Sequence, residues 1–472
     1  MTASRFIGRR REMEILEREY LKAPSFVLLT GRRRVGKTRL IKEFIKDKDA
    51  LYFFCGKTNL ATMKEELSES IHIRSGGPRA AYGSLRDVLE AFAMSSEGRK
   101  ILVLDEFQNM VYADKDVLKD LQDAWDNVLQ DKGAMLIICG SHMSVMESMV
   151  KDYKNPLYGR LTRHITLKSL PFEEIADDDY AGSVARYAVH GGVPRYMELL
   201  GDGDLYEAVD QDVFDPTSMM FDDPSILVGD EIKDAPTYMS ILRAMASGNR
   251  RPSDIASAVG MQVTSMAYSL DRLEKAGIVR REVPVTDDPA KSKNGIYLLT
   301  DYFTSFWFKF VYPYRSQLIM DDHASAMANL KAHFSERHAA FVFEDVCRSM
   351  VKDMHQEIGF MPLRTGRYWD RSGTEIDMVS IDEKDKAFVA ECKFRERRPV
   401  DIHDLNGLKA KTASLKALEG RKITYGLFSV SGFDEGLLPL DVVLVDKGKV
   451  IRKGQSIYPD ALSKSHADSD GD

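Results

Sequence analysis

Residues 30–40 read TGRRRVGKTRL, and their spacing fixes both a ligand and the architecture that must surround it. Gly31, four further residues and then Gly36-Lys37-Thr38 fit a phosphate-binding (Walker A) loop. Directly ahead lies SFVLLT, residues 25–30, an apolar run of buried-strand length, and the pattern predicts a helix over about residues 37–44. The glycines let backbone N–H groups turn inward as an anion nest, and the helix N-terminus adds its dipole. Lys37 is placed to neutralise the β- and γ-phosphates of ATP, and Thr38 offers a hydroxyl oxygen to Mg²⁺. The cofactor-binding set read from this stretch is therefore Gly31, Arg32, Arg33, Arg34, Val35, Gly36, Lys37, Thr38 and Arg39.

Outward from the loop, a chain of 472 residues suggests about three domains, each able to bury a core. A net charge of −7 gives no whole-protein field for nucleic acid, so any such binding must come from local patches. The N-terminus lacks an apolar signal core, and no run approaches the roughly 18 apolar residues of a membrane helix; a cytoplasmic protein with no membrane segment is expected. Cys55, Cys139, Cys347 and Cys392 lie far apart without a CxxC, which points to reduced thiols rather than a disulfide framework or a zinc site.

Phe6-Ile7-Gly8-Arg9 precedes a helical stretch, residues 10–20, which alone reads as an amphipathic surface helix. The segment resembles the FxGR element with which AAA+ ATPases and their STAND relatives hold adenine, and the resemblance implies Phe6, Gly8 and Arg9 in the nucleotide site. Residues 100–109, KILVLDEFQN, are a buried strand ending in Asp105-Glu106, a Walker B pattern. Asp105 is placed to hold the Mg²⁺ shell and Glu106 to orient and polarise the attacking water; two solvated acids at a strand end are the bland alternative. A third apolar strand, residues 134–139, ends in Gly140-Ser141-His142, where Ser141 is the candidate γ-phosphate sensor or simply a turn residue. Arg160, in Tyr158-Gly159-Arg160, is a candidate arginine finger in cis or across a subunit boundary, which is compatible with a homo-oligomer; Arg163 and Arg32 to Arg34 compete for that role. Gly191-Gly192 with Pro194 make a rigid turn that suits a hinge between ATPase core and lid. Taken in order, FIGR, GRRRVGKT, LVLDEFQ, ICGSH, PLYGR and GGVPRY resemble the archaeal-type ATPase family, a STAND-like branch of the P-loop ATPases. The resemblance covers about residues 1–230 and implies an α/β sandwich with a parallel sheet, which the alternation of strand and helix signals also predicts.

Residues 236–301 change to three helical patterns, stopped by Gly277, then two strands around a polar loop with Lys291 and Lys293. This resembles a winged helix-turn-helix over a domain of residues 231–315. Bound to DNA, its third helix would present Thr264, Ser265, Tyr268 and Arg272 to the major groove; equally, it is a lid that packs on the nucleotide domain and touches no DNA. The aromatic run YFTSFWFKFVYPY, residues 302–314, reads as interdomain packing rather than a base-stacking platform.

The last third, residues 316–462, is expected to be an α/β domain, with a polar, disordered tail at 463–472. In GTEIDMVS, residues 373–380, alternation puts Glu375 and Asp377 on one face of a strand. FVAECKF, residues 388–394, likewise sends Glu391 and Lys393 to one face. Asp377, thirteen intervening residues and Glu391-x-Lys393 resemble the PD-(D/E)XK nuclease core, with Glu344 on the preceding helix as the accessory acid. The proline usual before the first acid is replaced by Ile376. The resemblance implies Mg²⁺ held by Asp377 and Glu391 and a nucleophile positioned by Lys393, the donor set that phosphodiester hydrolysis needs. Residues 393–422 hold nine Lys/Arg against four Asp/Glu, a local patch suited to DNA. An exposed hairpin of alternating charges is the bland alternative. The whole is thus expected to be an ATP-hydrolysing switch coupled to a DNA-directed, metal-dependent nuclease-like domain, or an ATP-gated DNA-binding or signalling scaffold with a spent nuclease fold.

Overall fold

The computed structural model describes residues 6–76, 82–95, 99–232, 234–395 and 397–451; the tail expected at 463–472 lies outside the described residues. The chain divides into two compact units: residues 1–175, 192–201 and 229–233, and residues 176–191, 202–228 and 234–472.

The first unit is built on a parallel sheet of β1 (Ser25–Thr30), β2 (Ala50–Phe54), β3 (Ile101–Asp105), β4 (Met135–Gly140) and β5 (Arg163–Thr166), in the order β2-β3-β4-β1-β5. The parallel sheet expected for this part of the chain is present. Every residue of β1, β3 and β4 is buried, as both faces of the sheet are covered. Side chains alternate between two cores: Phe26 and Leu28 join Leu102, Leu136 and Phe92, whereas Val27 and Leu29 join Leu40, Phe44 and Val103. Since β4 lies between β1 and β3, the residue after β4 falls between the phosphate-binding loop and the Walker B acids.

The second unit begins its main run with three helices, Ala235–Ala246, Pro252–Val259 and Val263–Lys275, with Gly277 at φ 69° just beyond the third. An antiparallel pair follows, β6 (Val279–Glu282) and β7 (Ile296–Leu299). The helix Tyr302–Phe310 buries Phe303, Phe306, Trp307, Phe308 and Phe310, and Trp307 Nε1 donates to Phe221 O (2.6 Å). These rings are interior packing and offer no platform to a base. The sheet consists of β8 (Arg364–Trp369), β9 (Glu375–Ile381), β10 (Lys386–Lys393), β11 (Lys422–Ser429), β12 (Val443–Asp446) and β13 (Lys449–Ile451), hydrogen-bonded in sequence order. Pairing is antiparallel for β8-β9, β9-β10 and β12-β13 and parallel for β10-β11 and β11-β12. The helix Ile402–Ala413 supplies the crossover to β11; Asp401 and Asp404 form its capping box, each side chain accepting the other residue's backbone N–H. Val285 N donates to Arg367 O (2.9 Å), so the β6–β7 loop is tied at its base to β8.

Candidate functional site

In the first unit the loop between β1 and the helix Lys37–Ile45 closes around its own lysine. Lys37 Nζ donates to the carbonyls of Gly31 (2.7 Å) and Arg32 (2.9 Å), and burial pushes its pKa down. A desolvated cation held by carbonyl dipoles is short of counter-charge, which a phosphate supplies. Gly36 sits at φ 94°, and a Cβ on Gly31 would stand 2.5 Å from Leu167 O, so the loop needs both glycines. Val35 is buried, whereas Arg33 and Arg39 are exposed at the rim. The guanidinium of Arg34 lies 5.9 Å from the ring centre of Tyr196. Gly36 also approaches Pro194, whose Cγ would be 3.6 Å from a Cβ there. The proline of the expected hinge is thus a wall of the loop.

Arg9 braces the loop, while Gly8 lies against Glu174 and Leu170. Arg9 NH2 donates to Val35 O (2.8 Å), its backbone N–H donates to Glu174 Oε2 (3.1 Å), and Phe6 packs on the core beneath β1. Arg9 is buried, and its contact with the loop is a backbone contact that no spacing argument foretells.

Thr38 Oγ1 donates to Asp105 Oδ2 (2.8 Å), which joins the Walker A hydroxyl to the Walker B carboxylate. Tyr52, missed in the sequence, donates its hydroxyl to the same oxygen (2.6 Å). Hydroxyl and carboxylate oxygens side by side are a donor set that fits Mg²⁺. Ser141 Oγ donates to Glu106 Oε2 (2.8 Å), and the Gln108 amide also donates to that oxygen. Gln108 was missed as well; the only signal was its place two residues after Glu106. Its Oε1 is buried with no hydrogen-bond partner among the described residues. Glu106 adopts φ 53° and Arg34 φ 69°, backbone conformations that cost energy for residues with a Cβ and that cluster at functional sites. Lys37, Thr38, Asp105, Glu106 and Ser141 are thus brought to the C-terminal ends of β1, β3 and β4. Arg160 is not brought into this group. Its guanidinium grips Asp126 through Nε (2.9 Å) and NH2 (2.8 Å), and NH1 donates to Pro156 O (2.9 Å).

The second unit gathers Glu344, Asp377, Glu391 and Lys393. Asp377 is on β9 and Glu391 and Lys393 are on β10, while Glu344 lies on the helix Ala340–Met350. Lys393 Nζ donates to Glu391 Oε2 (2.5 Å), and Lys411, from the helix Ile402–Ala413, donates to Glu391 Oε1 (2.7 Å). Lys411 carried no signal in the sequence beyond its place in the basic stretch. Asp377 Oδ2 accepts the backbone N–H of Cys392 (2.9 Å). Burial pushes the Asp377 carboxyl up to about 7, helped by repulsion from Glu344 and Glu391. Burial likewise raises Glu344, against Arg367 NH2 at 2.7 Å and Arg348 NH1 at 3.6 Å. The two lysines hold Glu391 below the usual carboxylate range against the opposing effect of burial. Glu375 is exposed at the start of β9. Among the described residues no three acidic, histidine or cysteine side chains are set as a ready metal cage.

Residues 6–184 match a family described as an ATPase domain predominantly from Archaea, and residues 307–405 match a family of archaeal and bacterial proteins of unknown function. An uncharacterized protein of Methanocaldococcus jannaschii is 28% identical over 410 residues, 84% of this chain and 89% of that protein. Among solved structures, the Walker-type ATPase of Pyrococcus abyssi aligns with TM-score 0.49 and 20% identity, over 64% of this chain and 96% of its own. The ORC2 protein of Aeropyrum pernix aligns with TM-score 0.46 and 14% identity, over 69% of this chain and 98% of its own. The chain carries an ATPase domain and is an ATPase. No helix among the described residues is long and apolar enough to cross a membrane.

Proposed function

We propose that this ATPase is a switch whose nucleotide state controls a DNA-directed, metal-dependent nuclease-like centre in the second unit. The observation that carries the proposal is that Asp377, Glu391 and Lys393 lie on two paired strands, with Glu344 on the neighbouring helix repelling the Asp377 carboxylate. In the first unit Lys37 and the loop amides bind the phosphates, Glu106 orients water and Ser141 reports the γ-phosphate through its hydrogen bond to Glu106. Mg²⁺ would be held by Thr38 and Asp105, and in the second unit by Asp377 and Glu391, where it supplies polarisation of a phosphate oxygen. Lys393 would position the nucleophile, and the three helices with the β6–β7 pair would serve as a winged helix. Residues 192–201, of which Pro194 lies against the phosphate loop, are flanked along the chain on both sides by residues of the second unit.

A second reading is favoured by the lysines on both oxygens of Glu391, which leave the centre charge-balanced without a metal. On that reading the protein is an ATP-gated DNA-binding scaffold with a spent nuclease fold. Cleavage of linear, circular and single-stranded DNA in Mg²⁺ or Mn²⁺, with and without ATP, separates the two. The nuclease reading expects cutting that Lys393→Ala abolishes and ATP modulates. Salt-sensitive DNA binding that survives Glu391→Ala, with no cutting by either protein, overturns it in favour of the scaffold.

A further inference from the structure

Beside the acidic centre, within the second unit, lies a cavity of about 780 Å³ whose lining includes Glu344, Asp377 and a cluster of cations. Two guanidiniums lie near one ring of this lining. The guanidinium of Arg367, from β8, lies 3.8 Å from the ring centre of Phe341, and that of Arg250 lies 5.4 Å from the same centre. Lys309, from the aromatic helix, donates to Arg337 O (2.9 Å) and is pushed down to about 8 by burial and then by Arg250. Arg367 is 8% exposed, and its Nε has no hydrogen-bond partner among the described residues. Its NH2 is ion-paired with Glu344 Oε2 at 2.7 Å, which leaves Nε as the donor without a partner. Gathering like charges around a partly buried ring is costly unless anions join them, and Glu344 supplies one. An arginine with an unpartnered N–H matches a phosphate oxygen.

The lining also carries aromatic residues, beside the further carboxylates of Asp254, Glu336 and Glu375. Tyr297 and Trp369 are among the lining residues, and aromatic side chains beside cations are the combination on which single-stranded nucleic acid is held. The volume falls in the range of small-ligand sites, about 300–1,000 Å³. A base-paired duplex, whose major groove alone is about 12 Å wide, does not enter such a space.

We propose that this cavity binds the terminal phosphate of a single DNA strand through Arg250, Lys309 and Arg367 and so directs the neighbouring acidic centre to strand ends. The proposal rests on the nuclease-like reading for its consequence, but the binding itself does not require cleavage. Asp377 lines the same cavity, so a phosphate anchored at the cations leaves the following phosphodiester to reach the carboxylates.

The test is equilibrium binding of short fluorescent oligodeoxynucleotides to the full chain in EDTA, where no metal-dependent cutting occurs. Strands with a 5′-phosphate, a 3′-phosphate or only hydroxyl termini are compared, with free deoxynucleoside monophosphate as competitor. The expected result is binding of one phosphorylated form at least tenfold tighter than the hydroxyl form, with the preference lost in Arg250→Gln. Arg250 is only half-buried, so that variant is expected to fold, and Arg367→Lys, which keeps the charge and removes the fork, should weaken the same preference. Equal affinity for all termini, or a preference unchanged in Arg250→Gln, overturns the proposal. Monophosphate that competes as well as the phosphorylated strand overturns the strand-end assignment in favour of a free-nucleotide site. A phosphate preference that persists in Lys393→Ala, in a protein that never cuts DNA, supports the pocket while sinking the nuclease reading.

Discussion

Lys37 and Glu106 divide the work of the ATPase between binding and hydrolysis, and their substitutions should part accordingly. Lys37→Ala removes the buried counter-charge and should abolish phosphate release and the thermal shift that ATP produces; unchanged turnover would show that the loop does not bind the phosphates. Glu106→Gln keeps the shape of the site and should bind ATP yet hydrolyse it at least a hundredfold more slowly, as read by single-turnover assays. Arg160 poses a different question, because its fork is already filled by Asp126. If that pair is structural, Arg160→Ala and Asp126→Ala should each cost about 1 kcal/mol or less, since both groups are partly exposed, and both variants should retain turnover. Loss of turnover confined to Arg160→Ala would return the residue to the role of arginine finger, supplied by rearrangement or by a second chain.

At the scale of elements, the position of each strand decides which groups can meet. Placing β4 between β1 and β3 is what puts Ser141 within reach of Glu106, although the two are 35 residues apart. In the second unit β10 is the pivot, since it pairs with β9 on one side and β11 on the other. Gly426 of β11 packs directly beneath Phe388 of β10: a Cβ there would lie 2.4 Å from Cζ and 2.6 Å from Cε2 of the fully buried ring. Gly426→Ala should therefore destabilise the second unit by about 1–3 kcal/mol through overpacking, measured as a lower urea midpoint, with ATP turnover by the first unit retained. A neutral effect would mean that Phe388 can swing clear. The strands, their alternation and the helix after the phosphate loop were legible in the sequence because periodicity and local spacing encode them. Lys411, Tyr52 and the Arg367 fork were not, since each reaches its partner across a sheet or from a crossover helix.

For the whole molecule, acid should weaken the second unit. His190, in the second unit, is held neutral by burial, which lowers its pKa from 6.5 to about 3, with Arg186 adding to the effect. The unfolded chain then binds a proton that the folded one excludes, so this contribution to stability is full above pH 6.5 and falls away as pH drops toward 3. The loss is on the order of 4 kcal/mol over that window. Denaturation midpoints recorded between pH 7 and pH 4 should fall for the second unit, and the fall should be smaller in His190→Phe; a pH-independent midpoint would show that the ring is solvated.

What the sequence by itself determined is everything carried by neighbours along the chain. The glycine spacing of residues 30–40, the apolar strand ending in Asp105-Glu106 and the alternation that puts Asp377, Glu391 and Lys393 on shared faces follow from backbone periods of two and 3.6 residues. Only the tertiary structure decided which charges cancel. Arg160 is held by Asp126, Glu391 by two lysines and Glu344 by two arginines, while Arg367 Nε keeps no hydrogen-bond partner among the described residues. The physical reason is that electrostatic pairing acts through space at a few ångströms and depends on desolvation, neither of which is a function of distance along the chain.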